Sequence, residues 1–147
     1  MESSRIALLQ QMPLFGGISE GALQLLLDVS RDVRVKAGGY FFREGEPGES
    51  MFVLESGTVE VRKKAPQGSL VLSRLGPGDC FGEMALIDLA PRSAAVQALG
   101  DCSGFEIFAA GLHRLYERDL EQFALIQMNM ARELSRRLRA TDERLLG

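Results

Sequence analysis

The feature of this sequence that most constrains its fold is a series of short segments, between Arg31 and about Ala109, in which apolar and polar residues alternate. Every gap between two segments contains glycine, often with another turn-forming residue. Short strands at regular spacing, with a turn signal in each gap, indicate an antiparallel β-sandwich or β-barrel. The predicted strands are Asp32–Lys36, Tyr40–Arg43, Met51–Glu55, Thr58–Lys63, Leu70–Leu75, Ala94–Leu99 and Ser103–Phe108.

Helical periodicity precedes the predicted strands. The pattern predicts a first short helix over Arg5–Met12, with Ser3 or Ser4 as its cap. It predicts a second helix over Glu20–Asp28, with Ser19 as its N-cap.

A helical pattern returns after the strands. Asp119 followed three residues later by Gln122 is typical of a capped helix start. The segment from Leu120 to Leu146 then contains neither proline nor glycine, which predicts one long helix. We therefore expect a single domain over residues 1–147, with a helical part at 1–30, a β-barrel at 31–109 and C-terminal helices at 110–146.

Composition disfavours several classes of function. The net charge is −3, which predicts no general attraction to nucleic acid or to anionic lipid. No apolar run approaches the roughly 20 residues that span a bilayer, and the N-terminus lacks a secretory signal pattern, so we expect a cytoplasmic protein. One histidine, His113, and two distant cysteines cannot assemble a His-based metal site or a disulfide framework. We therefore expect no enzyme activity, no metal and no other cofactor.

The segment from Phe81 to Val96 combines features that suit an anion. A predicted strand ends at Phe81, Gly82 allows a sharp turn and close approach of a ligand, and a helical turn begins immediately afterwards. The first amides of such a turn have no partner within the helix, and the helix dipole attracts negative charge there. Arg92 lies nine residues after Glu83 and can add a guanidinium with paired N–H donors. Because Glu83 offers an acceptor for a sugar hydroxyl, the segment predicts a site for a phosphorylated ribose.

An alternative interpretation of the same segment is a capped connecting turn. In that case Arg92 would form an ion pair with Glu83 or Asp88 and bind no ligand. The phosphate site is favoured because several features occur together in a fixed order, which is far more specific than a lone arginine. These features are Phe-Gly-Glu, four apolar residues, Pro-Arg-Ser and a following strand.

With two further motifs, this segment resembles the cyclic-nucleotide-binding domain family, which includes the bacterial catabolite activator protein, protein kinase A regulatory subunits and cyclic-nucleotide-gated channels. The further motifs run from Phe42 to Val61 and from Leu75 to Asp79, and the resemblance extends from about Leu14 to Leu145. It implies a mainly β fold with flanking helices, built on an antiparallel β-barrel of the jelly-roll (double-stranded β-helix) type. It also implies a regulatory sensor of cAMP or cGMP.

The resemblance assigns roles to residues of the phosphate segment. Arg92, with the backbone amides of Ala85 and Ser93, would hold the cyclic phosphate. Glu83 and the amide of Gly82 would hold the ribose 2′-hydroxyl.

The purine contacts follow from the same resemblance. Met84 would flank the turn, while Val61 and Leu72, expected to face inward on neighbouring strands, would pack on the base or belong to the ordinary core. In this family a threonine after the arginine is associated with cGMP and an alanine with cAMP. Ser93 stands at that position here, and we favour cAMP over cGMP.

The C-terminal helix carries an apolar stripe, with Phe123 and Met130 beside it. The stripe could cover the barrel mouth, pair with a second copy as a homodimer, or do both. By resemblance, Thr141 matches a residue that contacts adenine from the dimerisation helix, but Asp142 replaces the serine beside it. The members of the stripe are Leu120, Ala124, Ala131, Leu134, Leu138 and Leu145.

The output of the protein stays open at this level. The DNA-reading helix-turn-helix module that follows this helix in related transcription factors is not present before Gly147, so we expect no direct contact with nucleic acid. The chain is expected to be a sensor that acts on an unidentified protein effector through its last helix. The alternatives are an interaction module of the same fold that needs no ligand, or the sensory fragment of a longer regulator.

Overall fold

The computed structural model describes residues 2–146, with the side chain of Glu2 left aside. It divides the chain into two compact units. The β unit is Val29–Gly111, and the helical unit combines Met1–Asp28 with Leu112–Gly147.

The β unit contains two four-stranded antiparallel sheets, with strand orders β1-β8-β3-β6 and β2-β7-β4-β5. All seven predicted strands are present, each with ends within two residues of the prediction, and β6 is an eighth strand. The strands are β1 (Arg31–Val35), β2 (Tyr40–Phe42), β3 (Ser50–Ser56), β4 (Val59–Ala65), β5 (Gly68–Leu75), β6 (Cys80–Phe81), β7 (Ala95–Ala98) and β8 (Cys102–Phe108).

The predicted mainly β fold of the jelly-roll type is confirmed, and its two sheets do not close on each other. Two-residue β6 ends one sheet, and β5, which pairs only with β4, ends the other. The core lies between the sheets, where apolar residues of both inner faces interdigitate. These buried residues are Phe52, Leu54, Val59, Phe81, Val96, Ala98 and Cys102.

Four phenylalanine rings form one end of this core. Phe41 and Phe42 of β2 meet Phe52 of β3 and Phe81 of β6, with ring centroids 5.0 to 6.1 Å apart. Such contacts add to the free energy gained by burial. The cluster joins the two sheets at the point where β6 ends and the predicted phosphate segment begins.

The helical unit contains α1 (Glu2–Gln10), a short 3-10 turn (Pro13–Phe15), α2 (Glu20–Asp28) and α5 (Leu120–Leu146), while α4 (Ala109–Arg118) runs across the division between the units. Both later caps are confirmed: the Ser19 hydroxyl accepts from the Ala22 amide, and Asp119 accepts from the Gln122 amide, each at 3.2 Å. The cap predicted at Ser3 or Ser4 is wrong, because α1 already begins at Glu2 and both serines lie inside its first turn.

Among the described residues, none of the helices combines the length and the apolar character needed to cross a membrane. Residues 2–146 also bring together no group of three or more metal-ligating side chains.

Gly104 of β8 lies directly against the backbone of β3. It pairs with Val33 on one side and Leu54 on the other, and a Cβ added to it would overlap the backbone carbonyl oxygen of Val53. We therefore expect Gly104→Ala to lower the free energy of unfolding by about 1–3 kcal/mol, measured by thermal and denaturant unfolding.

Gly100→Ala is the matched control, because a Cβ at residue 100 would meet nothing within 4 Å. Its free energy of unfolding should stay within about 0.5 kcal/mol of the parent. Equal destabilisation by the two variants would contradict the close approach at Gly104.

Candidate functional site

The predicted phosphate segment begins with a turn that only glycine adopts readily. Strand β6 ends at Phe81, and Gly82 follows with a φ of +80°, in the left-handed region. The carbonyl oxygen of Gly82 accepts from the Ala85 amide at 3.3 Å, and helix α3 (Ala85–Asp88) follows. The turn therefore directs the chain out of the sheet, and the Ala85 amide is engaged, weakly, by the turn itself.

The side chain of Arg92 lies at the centre of the site and is 7% exposed. Its Nη1 donates to the carbonyl oxygens of Ser50 at 2.8 Å and Gly82 at 3.1 Å. Its Nη2 donates to the Ser50 hydroxyl at 3.1 Å. The guanidinium carbon lies 4.1 Å from the ring centroid of Phe42, a cation–π contact. Arg92 thus contacts Ser50 and Gly82, which does not match the alternative ion pair with Glu83 or Asp88.

The backbone of Arg92 is fixed by the turn between β2 and β3. The Arg92 amide donates to the carbonyl oxygen of Glu46, and the Gly45 amide donates to the carbonyl oxygen of Arg92, both at 2.8 Å. The motif from Phe42 to Val61 and the phosphate segment, separate in sequence, are therefore joined at this arginine.

Two glycines leave the space that the guanidinium occupies. A Cβ at Gly48 would lie 2.7 Å from Nε of Arg92, and a Cβ at Gly82 would lie 2.7 Å from its Nη1. Both distances are shorter than van der Waals contact allows. A side chain at either position would therefore displace the guanidinium from the place that it occupies here.

Burial and nearby carboxylates act in opposite directions on Arg92. Desolvation lowers the pKa of its guanidinium below the ordinary value, while the carboxylates of Glu106 and Glu46 raise it. The cation is therefore held in the interior by acceptors and negative charge.

The other predicted site residues of this segment, Glu83, Met84 and Ser93, differ in their exposure and contacts. Glu83 is buried, whereas Met84 is half exposed. The carbonyl oxygen of Ser93 accepts from Nζ of Lys63 at 2.6 Å, and the same Nζ lies 3.5 Å from the carboxylate of Glu44. The β4 strand therefore fixes the backbone directly after Arg92.

The two predicted base contacts differ from each other. Val61 packs against the inter-sheet core and pairs with Val96 and Ser73. Leu72 lies at an irregularity in the β4–β5 register and is 49% exposed. The expectation that its side chain faces inward is therefore wrong. Its contact with a base stays a prediction.

Thr141 lies in the helical unit, where it is exposed on α5 and its hydroxyl donates to the Arg137 carbonyl oxygen at 3.0 Å. Its predicted contact with adenine is not tested by the arrangement of the β unit.

Sequence reasoning missed several residues that hold Arg92. Ser50, Gly48 and Phe42 all fall in the motif from Phe42 to Val61, but nothing in their spacing indicates a contact with Arg92. Glu106 was also missed, although a carboxylate between Phe105 and Ile107 in an apolar strand is a signal that could have indicated a buried partner.

Comparisons with known proteins bear on this site. A sequence model described as the cyclic nucleotide-binding domain matches residues 32–119. The CRP-like cAMP-activated global transcriptional regulator of Mycobacterium tuberculosis is 30% identical over 139 residues, which cover 94% of this chain and 60% of the regulator. The chain thus spans about three fifths of the length of that relative.

Solved structures share the arrangement of strands. The catabolite activator protein of Thermus thermophilus is 32% identical, with a TM-score of 0.79 over 90% of this chain and 61% of that chain. The regulatory domain of Toxoplasma gondii PKA, in a co-crystal with cAMP, is 28% identical, with a TM-score of 0.73 over 77% of this chain and 43% of that chain.

Proposed function

We propose, from the premise that this chain belongs to the cyclic nucleotide-binding domain family, that its β unit binds a cyclic nucleotide through Arg92 and acts as a regulatory sensor. The observation that carries the proposal is a buried guanidinium with donors left over. No described residue accepts a hydrogen bond from the buried Nε of Arg92.

The remaining donors of Arg92 form a fork. A guanidinium has five N–H groups, and three of them meet Ser50 and Gly82. The Nε–H and the second Nη2–H remain, and these two lie on the same edge of the planar group. Parallel N–H groups on one edge match two oxygens of a phosphate. The cyclic phosphate is therefore proposed to bind along the Nε–Nη2 edge, with the Ser93 amide as a further donor and with the Ala85 amide exchanging its weak 3.3 Å bond to the Gly82 carbonyl oxygen for the phosphate.

The ribose and the base extend from this phosphate. Glu83 is buried one residue after the Gly82 turn, which suits a carboxylate that accepts from a ribose 2′-hydroxyl beside the Gly82 amide. Val61 and Leu72 offer apolar surface on adjacent strands for the purine, and Met84 flanks the turn.

Arg92→Leu tests the phosphate assignment. Because the substitution leaves the anion in a desolvated site without its cation, cAMP affinity should fall by about a hundredfold or more, measured by isothermal titration calorimetry. Arg34→Leu is the matched control, since Arg34 is an exposed arginine of the same unit. Circular dichroism should show the fold retained in both variants. Binding by Arg92→Leu within about threefold of the parent would reject the assignment.

We propose cAMP as the preferred nucleotide. The supporting observations are that Ser93, and not the threonine associated with cGMP, follows the arginine, and that the chain is similar to a cAMP-activated regulator and to a PKA regulatory domain in a co-crystal with cAMP. The hydrogen bond from Nζ of Lys63 to the Ser93 carbonyl oxygen fixes the backbone of Ser93 next to Arg92.

Substitutions of Ser93 test the choice of purine. Ser93→Ala should shift the ratio of cAMP to cGMP affinity toward cAMP, and Ser93→Thr should shift it toward cGMP, because a hydroxyl can accept from the guanine 2-amino group. One such hydrogen bond changes the ratio by up to about tenfold. Competition titrations of both nucleotides against each variant measure the ratio. Equal weakening of both nucleotides would assign Ser93 to the phosphate alone.

The long helix α5 is proposed to carry the signal and to form a homodimer. Its buried residues are Ile126, Asn129 and Met130, and the Asn129 amide donates to the carbonyl oxygens of Leu14 and Gly16. A second, exposed set of apolar residues recurs every seven positions, the spacing of a coiled coil. Its members are Ala124, Ala131, Leu138 and Leu145. The face packed within the helical unit therefore lies outside the predicted stripe, and four members of the stripe form an exposed face that is available to a second copy.

Leu138→Glu tests the dimer. Leu138 is 64% exposed, so the substitution spares the monomer but would place two facing carboxylates in the symmetric seam. We expect the variant to sediment as a monomer at concentrations where the parent is a dimer. Ala140→Glu adds the same charge two residues away, off the seven-residue repeat, and should sediment as the parent does. A monomeric parent, with and without cAMP, would remove the homodimer from the proposal.

Two other functions are weighed against this one. An interaction module that needs no ligand would not require a buried arginine with unused donors. A sensor is favoured over an enzyme by the similarity to a cAMP-activated transcriptional regulator. A longer regulator that contains this chain, with an effector as its partner, is compatible with nucleotide sensing.

A further inference from the structure

A line of polar side chains leads from Arg92 through the interior of the β unit. Nη2 of Arg92 donates to the Ser50 hydroxyl at 3.1 Å, and that hydroxyl contacts Oε2 of Glu106 at 2.6 Å. Oε1 of Glu106 accepts from Nη2 of Arg31 at 2.7 Å. Ser50 and Glu106 are 3% and 6% exposed, so both lie out of water.

The direction of each hydrogen bond in this line is determined by chemistry. A guanidinium has only donors and an ionised carboxylate only acceptors. The single hydroxyl hydrogen of Ser50 must therefore point at Glu106, and a lone pair must face Arg92. Both oxygens of Ser50, the hydroxyl and the carbonyl, thus hold the inner edge of the guanidinium, formed by Nη1 and Nη2.

The register of one sheet builds the line. Phe52 of β3 pairs with Glu106 of β8, and Ser50 pairs with Phe108, so Ser50 and Glu106 are diagonal neighbours on one face. Arg31 of β1 lies directly opposite Glu106 on the other side. The groups are fixed by strand pairing and not by flexible loops.

We infer that Ser50 and Glu106 are positioning residues for Arg92, which orient its Nε–Nη2 edge toward the cyclic phosphate. Ser50 holds the inner edge of the guanidinium, and Glu106 orients the Ser50 hydroxyl and supplies the interior with a negative charge. The inference rests on the proposed function, since it names what prepares the phosphate contact of the same site. The carboxylate of Glu106 also raises the pKa of Arg92 against the effect of burial.

Ser50→Ala is the variant that tests the inference. It removes the acceptor from Nη2 and leaves the backbone carbonyl in place. We expect cAMP affinity to fall about tenfold, the effect of one hydrogen bond to a charged group. We also expect weaker discrimination between the two diastereomers of adenosine 3′,5′-cyclic phosphorothioate, which differ only in the phosphate oxygen that sulfur replaces. The fold difference between their Kd values should become smaller by about threefold or more. The reason is that a guanidinium whose Nε–Nη2 edge is no longer oriented distinguishes the two phosphate oxygens less well.

A double-mutant cycle separates positioning from a general structural role. In an Arg92→Lys background, which has no fork to orient, Ser50→Ala should change cAMP affinity by less than about twofold. Arg31→Gln is the matched control, because it removes the other partner of Glu106, an arginine whose side chain is 68% exposed, and leaves Ser50 untouched. Its affinity and diastereomer ratio should stay within about twofold of the parent. Equal loss for both diastereomers and in both backgrounds would overturn the inference.

A ligand-free measurement distinguishes failure of the inference from failure of the proposed function. In 15N-labelled protein, Ser50→Ala should speed the exchange of the Arg92 Nε–H with water by about threefold or more, and Arg31→Gln should leave it unchanged. Should Ser50→Ala not fold, Ser50→Cys keeps the side-chain shape and weakens both hydrogen bonds, and the same results are expected. A parent that binds neither nucleotide ends the proposed function, whereas unchanged Nε–H exchange in the Ser50 variants ends the inference.

Discussion

The burial of one guanidinium, that of Arg92, is the constraint on which the rest of the site depends. A cation out of water costs several kcal/mol unless acceptors and opposite charge surround it. Ser50 and Gly82 supply oxygens, Phe42 supplies a ring face, and Glu106 supplies charge. These groups come from β2, β3, β8 and the turn after β6, so the arginine reaches its position only when both sheets have formed.

The steric demands of the arginine explain why glycines stand where they do. Because Gly48 and Gly82 have no side chain, they leave room for the guanidinium, and a Cβ at either position would overlap it. Gly82 has a second reason to be glycine, because its φ of +80° makes the turn out of β6. Gly48 and Gly82, which the sequence alone indicates as turn residues, thus also leave the space for the Arg92 side chain.

Two arginines of the β unit, Arg62 and Arg92, keep a buried Nε without an acceptor among the described residues, although an unmade hydrogen bond in the interior is costly. The Arg62 side chain is 33% exposed and forms an ion pair with Glu60. Arg92 is 7% exposed, and its inner edge is held by Ser50. In the proposed function the remaining Nε–Nη2 edge binds the cyclic phosphate, and in our inference the Ser50–Glu106 pair orients that edge.

The sequence by itself determined the positions of seven strands along the chain, the capped helices at Ser19 and Asp119, and the segment that holds Gly82, Glu83 and Arg92, because alternation, caps and ordered motifs are local signals. Only the tertiary structure decided that the sheets stay open and that Leu72 is half exposed. It alone brought Ser50 and Glu106, 56 residues apart, to the arginine. Such contacts depend on strand register across the sheet, which leaves no trace in the spacing of residues along the chain.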